Sequence, residues 1–292
     1  MIRFLIHLLA LGCMLVLVQP GLLQAQSYLK GSYVRSTVNY DGSTMIVSTF
    51  SRKKTSKGKV KAKYFAQNAN RQFANWRNDK RILYYCSGAF SESWNSNSPP
   101  LGICVDNGRI VNRNIDESMD GLVIVYNGGA QAGGIAVINL DKEKVNVNQG
   151  GRASYDLRDY SDRNAFLNWA ASQDATVFQT QLMYSKSYGR GFSRSNLTYG
   201  EQAERRFLAI CMKRGVVYHI VIDHPESDYL NRAAERVIDY LRDEEGYELF
   251  GFFNLDTGGK NVMRAYDDRD REVDNGPTEV NEATNLLVYY VD

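Results

Sequence analysis

The chain has 292 residues, 43% of them hydrophobic and 23% charged, with a mean hydropathy of −0.40. These values exclude a disordered chain, a collagen-like repeat and a multi-span membrane protein, and the length is ample for one large core. Thirty-five basic against 33 acidic residues leave +2, so overall charge points to neither nucleic acid nor an acidic membrane as a partner.

The first residues read as an address. Arg3 gives a positive start, 4–18 is apolar apart from His7 and Gly12, and Leu23-Gln24-Ala25 offers a cleavage site. The apolar run is short for a spanning helix. A secretory signal over 1–25 is the expectation, with an uncleaved anchor as its rival. It implies a secreted or periplasmic protein with no membrane span once the signal is cut. Export brings oxidising conditions, under which Cys86 and Cys104, the closer pair, are the candidates for a bridge. Cys211 lies among Leu208, Ala209, Ile210 and Met212 and reads as a buried thiol.

Strands dominate the rest of the chain. Thr44 to Phe50 is short and β-branched. From 52 to 63, seven of twelve residues are basic, which suits either an anion-binding patch or a lysine-guarded hairpin edge. Residues 66–77 predict a helix burying Ala69, Phe73 and Trp76. Arg81 to Cys86, Leu122 to Tyr126 and Gly134 to Leu140 predict strands, the last two joined by a Gly-rich turn without dinucleotide-binding spacing. Asp162 is the expected cap of a short helix carrying Phe166, Leu167 and Ala170. Thr176 to Tyr184 is a strand, then comes a loop containing Asn196-Leu197-Thr198, a glycan acceptor only in a eukaryotic host. Arg206 to Met212 and Val216 to Asp223 form a hairpin around Lys213-Arg214-Gly215. The strongest helical pattern runs from Asp228 to Glu245, capped by Ser227 or Asp228 and ended by Gly246. Tyr247 to Asn254 and Leu286 to Val291 are strands. The fold class is α+β: one domain with a mixed, partly antiparallel sheet and a few packed helices.

Taken without any relative, Leu255 to Asn261 is a strand end delivering Asp256 to a Gly258-Gly259 turn, with Lys260 and Asn261 beside it. Backbone amides there can approach an anionic or hydroxyl-rich ligand, or the turn is simply capped by Asp256. His219 in an apolar strand reads as a core histidine, and His224 beside Asp223 as a turn residue. The acidic run Asp267 to Asp274 lacks the glycine and terminal glutamate of a calcium loop. No metal motif, P-loop or Gly-x-Ser-x-Gly elbow is present, and no cofactor is indicated.

From Lys80 onward the order of motifs resembles the phosphodiester glycosidase family. Residues 26–79 would then add an N-terminal strand and helix to a family-like domain over 80–292. The strand Ile82 to Cys86 leads into Ser87-Gly88-Ala89-Phe90, where the family has Asn-Gly-Gly. Pro100-Leu101-Gly102, Phe178-Gln179, the strand from Arg205-Arg206, the turn Leu255-Asp256-Thr257-Gly258-Gly259-Lys260 and the strand from Asn285 come in family order. Thr257, Lys260 and Asn261 depart from the family, and an arginine usual before the last strand is missing.

The resemblance implies a hydrolase acting on a sugar 1-phosphodiester or related glycan, with a carbohydrate or glycosyl phosphodiester as its partner. A carboxylate stabilises the oxocarbenium-like transition state, and cations and amides hold the leaving phosphate. Asp256 is the first choice for that carboxylate and Asp223 the candidate second acid. Arg205 or Arg206, with Lys260, would hold phosphate. Gly258 and Gly259 would bring amides close, and Ser87, Gln179 and Asn261 would orient sugar hydroxyls. Two rivals stand beside it: a non-catalytic glycan-binding protein on the same scaffold, and a secreted interaction protein using Lys53, Lys54, Lys57 and Lys59.

Overall fold

A computed structural model of the chain describes residues 26–27, 32–56, 58–93, 95, 98–147, 154–190 and 201–292. The expected leader over 1–25, Lys57 and the triplet Asn196-Leu197-Thr198 lie outside the described residues.

The principal strands are β1 (Tyr33–Tyr40), β2 (Ser43–Ser51), β3 (Lys61–Phe65), β4 (Arg81–Cys86), β5 (Cys104–Asp106), β6 (Arg109–Asn112), β7 (Gly121–Tyr126), β8 (Ile135–Asn139) and β9 (Ala175–Ser185). The chain continues with β10 (Ala203–Lys213), β11 (Val216–Asp228), β12 (Glu248–Leu255), β13 (Met263–Tyr266), β14 (Glu272–Asn275) and β15 (Leu286–Val291). The large sheet runs β1-β2-β11-β10-β12-β9-β5-β6, with β7 also on β9 and β8 on β7. The small sheet runs β14-β13-β4-β15-β3. Neighbouring strands in both sheets pair antiparallel, and a parallel contact survives as the isolated bridge between Val262 and Thr278. This is the α+β class expected.

Turn chemistry sets the meander. Asp41-Gly42, Asn107-Gly108 and Arg214-Gly215 each have two successive positive φ angles, the two-residue geometry that matches the twist of antiparallel strands.

The alternation of side chains along β10, β11 and β12 then feeds two cores at once. Leu208, Ile210, Val221 and Phe253 turn inward, meeting Leu83, Leu287 and Tyr289 of the small sheet. Tyr33, Phe50 and Tyr289 stack there, with centroids 4.8 and 3.8 Å apart and rings within 5° of parallel. Phe207, Ala209, Ile220, Ile222 and Phe252 turn outward under helix α3 (Leu230–Asp239). Helix α2 (Tyr160–Ser172) covers Ile103, Val105, Leu122 and Val177 on another part of the large sheet. Helix α1 (Ala69–Trp76) covers Phe65, Ile82, Val288 and Tyr290 of the small sheet. Two facing sheets, each backed by helix, therefore share the burial.

Several sequence expectations need correction. Helix α1 is shorter than 66–77, and Trp76 is only partly buried, packing edge-on to Tyr290 at 4.6 Å. Asp159, not Asp162, caps α2: its carboxylate accepts from the Asp162 N–H. The pattern over 228–245 is not one α-helix. Strand β11 extends to Asp228, and α3 gives way to a π-helical turn over Tyr240–Glu244 before Gly246. Asp228 ends the strand as a partner for Arg236 at 2.8 Å and accepts the Tyr229 N–H, while α3 starts without a side-chain cap. Cys86 and Cys104 are not bonded to each other. Both are free and fully buried, as is Cys211. All three serve as small apolar core groups, and burial pushes the Cys86 thiol up to about 12. No helix among the described residues is long and apolar enough to cross a membrane.

Candidate functional site

Corresponding ends of the two sheets meet where β12 and β4 finish. The large sheet contributes the turn 256–261, and the small sheet contributes 87–89. The Asp256 N–H donates to the Gly88 carbonyl at 2.9 Å, and the Ser87 N–H donates to the Val262 carbonyl at 2.9 Å. The Ser87 hydroxyl closes the clasp. It donates to the Lys260 carbonyl at 2.6 Å and accepts the Val262 N–H at 3.0 Å. Asn285, fully buried at the start of β15, anchors the other strand end. Its Oδ1 accepts both the Gly88 and Ala89 N–H groups at 3.0 and 2.9 Å, and its Nδ2 donates to the Ala89 carbonyl at 2.8 Å.

Gly88 is required by crowding rather than by turn geometry. A Cβ there would lie 2.7 Å from Cε2 of Tyr64 and 3.1 Å from Oδ1 of Asn285. Tyr64 cannot yield, because its ring stacks on Phe178 at 4.3 Å. Gly88→Ala is expected to cost about 1–3 kcal/mol by overpacking, read as a lowered urea midpoint at constant slope. An unchanged midpoint would show that Tyr64 has room to move.

Asp256 is partly exposed at this junction, and its Oδ1 accepts the Gly258 N–H at 2.8 Å. Burial raises its carboxyl above the ordinary value, against the opposing pull of the Gly258 amide and of Arg206. Arg206 lies behind it on β10, opposite Leu255 on one side and Asp223 on the other. Its Nε donates to Oδ1 of Asp223 at 2.5 Å, and its Nη1 donates to Oδ1 of Asn261 at 2.9 Å. Burial alone would lower the Arg206 pKa, but Asp223 outweighs it and holds the guanidinium charged.

Asp223 carries more than one cation. Arg35 Nη1 stands 3.7 Å from its Oδ2, and the Tyr84 hydroxyl donates to the same oxygen at 3.4 Å. Arg35 also bonds Ser48 at 2.5 Å and pairs with Asp274. A buried Asp223–Arg206–Arg35 cluster thus lies behind Asp256.

The structure brings six of the expected residues to one place: Asp256, Asp223, Arg206, Asn261, Lys260 and Ser87. Gly258 and Gly259 form the exposed turn beside them. Their expected roles change. Asp223 holds two guanidiniums rather than facing outward, Ser87 is saturated by backbone, and Arg206 is committed to Asp223 and Asn261. Lys260 pairs with Glu282 at the surface.

Two residues lie elsewhere. Arg205, next to Arg206, points to the opposite face of β10 and donates to the Glu201 carbonyl. The Gln179 amide is used up by backbone. Its Oε1 accepts from the Ile103 and Asp116 N–H groups at 3.1 Å each, and its Nε2 donates to the Asp116 and Met119 carbonyls at 2.7 and 2.6 Å. It staples the 102–119 segment to β9, under Gly102, with no capacity left for a sugar. Sequence reasoning missed Arg35, Tyr84 and the anchoring role of Asn285. Arg35 was detectable as the lone charge of a strand-like run, two residues from Tyr33 and therefore on the same face.

No family model matches the chain, and no curated protein matches it. Among solved structures it is similar to a hypothetical protein from Synechocystis, at TM-score 0.47 and 12% identity over 89% of this chain and 62% of that one. It is also similar to the catalytic domain of zebrafish N-acetylglucosamine-1-phosphodiester alpha-N-acetylglucosaminidase, auto-inhibited by its pro-peptide, at TM-score 0.48 and 10% identity over 91% and 86% of the two chains. An exported-protein candidate of Burkholderia pseudomallei gives TM-score 0.46 and 11% identity over 87% and 74%. The likeness is a remote one of fold, and the chain spans less than two thirds of the Synechocystis protein.

Proposed function

We propose that this chain is an exported hydrolase that cleaves a sugar 1-phosphodiester or a related glycan, with Asp256 as the acting carboxylate. The observation that carries the reading is the placement of Asp256. It is partly exposed at a junction of both sheets, fixed by the Gly258 amide, and raised in pKa by burial. In this role Asp256 faces the anomeric carbon and stabilises positive charge as the bond to phosphate breaks, and water adds to that carbon and loses a proton to give free sugar and the phosphate monoester. The leaving phosphate meets the Gly258-Gly259 turn and Lys260. The Lys260–Glu282 pair is part-exposed, so opening it costs little. Arg206 and Asp223 act as positioning residues: they fix Asn261 and the field around Asp256.

The test is release of free sugar from a panel of glycosyl phosphodiesters by the purified chain, with Asp256→Asn as the control. Turnover by the wild type that survives in Asp256→Asn would remove Asp256 from the mechanism. The second reading, a glycan-binding protein without catalysis, is favoured by one feature. Asp223, the second acid a two-carboxylate mechanism would use, is locked between arginines. Binding across the panel with no sugar released would decide for it.

A further inference from the structure

The basic run after β2 folds into a second, separate feature. At the Arg214-Gly215 turn, a hollow of about 640 Å³ opens between the start of β11, β8 and the segment following β2. Arg52, Lys53 and Lys59 line it together with Ile135, Val217 and Tyr126. No carboxylate lines it among the described residues.

A solvated lysine guard on a strand edge would explain exposed charge. It does not explain Arg52 and Lys59, which are both only partly exposed. Lys61, the next cation, is neutralised by Asp292, whereas the charges that act on Lys59 are those of Arg52 and Lys61. Arg52 donates to the Val60 and Ala132 carbonyls, which orient the guanidinium without cancelling its charge. Burial pulls Arg52 down to about 10 and also lowers Lys59, the direction expected of cations held without a counter-ion.

A second observation points the same way. His219 also lines the hollow, is 1% exposed, and its Nδ1 has no hydrogen-bond partner among the described residues. That unsatisfied nitrogen adds a polar group to the residues lining the hollow. The rest of the lining includes the apolar Ile135, Ala136, Val216 and Val217, and Val217, the cross-strand neighbour of Arg52, is one of the large hydrophobic side chains left exposed.

We propose that this hollow binds a small organic oxyanion, a phosphate ester or carboxylate joined to an apolar body, with Arg52, Lys53 and Lys59 on the oxyanion and Ile135 and Val217 on the body. It is distinct from the Asp256 site. Arg206 and Lys213 are seven residues apart on β10, roughly 23 Å at ~3.3 Å per residue, and the hollow lies at the Lys213 end.

Calorimetric titration of the full chain with phenyl phosphate, benzoate, inorganic phosphate and phenol tests it. Phenyl phosphate or benzoate is expected to bind saturably, and whichever binds tighter identifies the head group. Phenol and inorganic phosphate, each lacking one half of the ligand, are expected to bind at least about tenfold more weakly. Lys53→Gln/Lys59→Gln, two side chains outside the core, is expected to weaken the better ligand about tenfold without changing Tm or sugar release. Raising salt is expected to act in the same direction. Absence of saturable binding by both aromatic anions up to about 10 mM, or an affinity unchanged in the double variant, overturns the proposal. Neither result bears on Asp256, so this inference and the hydrolase reading fail separately.

Discussion

Asp223→Ala is expected to lower unfolding stability by about 3–5 kcal/mol. The carboxylate is buried between Arg206 and Arg35, and its removal leaves two guanidiniums in the interior with one acid, Asp274, on the outer side of Arg35. A charge in a low-dielectric interior without its partner costs far more than the pair contributed when intact. The apolar double replacement Arg206→Met/Asp223→Leu removes charge from both sides and is expected to recover most of the loss. Urea unfolding of the three proteins measures both effects. A loss under about 1 kcal/mol in Asp223→Ala would mean that water reaches the cluster and screens it. If the double variant is stable yet inactive, the cluster acts on the site through Asn261 rather than on the fold.

Asp256→Asn is expected to cut sugar release at least about a hundredfold while leaving stability at neutral pH unchanged or higher. The sign comes from the direction of its shift. Burial raises the native carboxyl above 3.8, so the unfolded chain ionises first as pH rises. Below the unfolded value the group contributes nothing. Between the unfolded and native values stability is progressively lost, and it stays lost at neutral pH. The amide cannot ionise and keeps an oxygen for the Gly258 N–H, so the variant avoids that loss. Thermal melts from pH 3 to 7 should therefore fall less steeply with rising pH in the variant than in the wild type. In the wild type, the acid limb of the rate profile should lie above 3.8 and vanish in Asp256→Asn. A steeper pH dependence in the variant would show that Asp256 stabilises the fold as an anion, which contradicts its burial.

Much of the fold was legible because local chemistry and tertiary packing agree. The apolar stripe Leu230, Ala233, Ala234, Val237 and Ile238 is the buried face of α3, and the Arg214-Gly215 turn marks the longest hairpin. That turn also fixed the heart of the site. Counting seven residues back from Lys213 and seven forward from Val216 pairs Arg206 with Asp223. What the sequence did not reveal was competition for those groups. A strand-end acid and a strand-end arginine look available for a ligand until Arg35 and Tyr84 arrive from distant strands. Gln179 misled for the same reason, since its four backbone partners lie far away in the chain. The π-helical turn after α3 was hidden because its residues keep a helical apolar pattern while the backbone widens.

Of the four cysteines, the three in the described residues, Cys86, Cys104 and Cys211, carry a practical consequence. Each thiol is sealed from solvent and held protonated by its surroundings, so alkylating reagents have neither a path nor a nucleophile while the sheets stay closed. Cys86 and Cys104 sit between the sheets and Cys211 beneath α3. Labelling rates at the three positions would therefore clock two different openings of the molecule, parting of the sandwich and lifting of the helix, without adding any foreign probe.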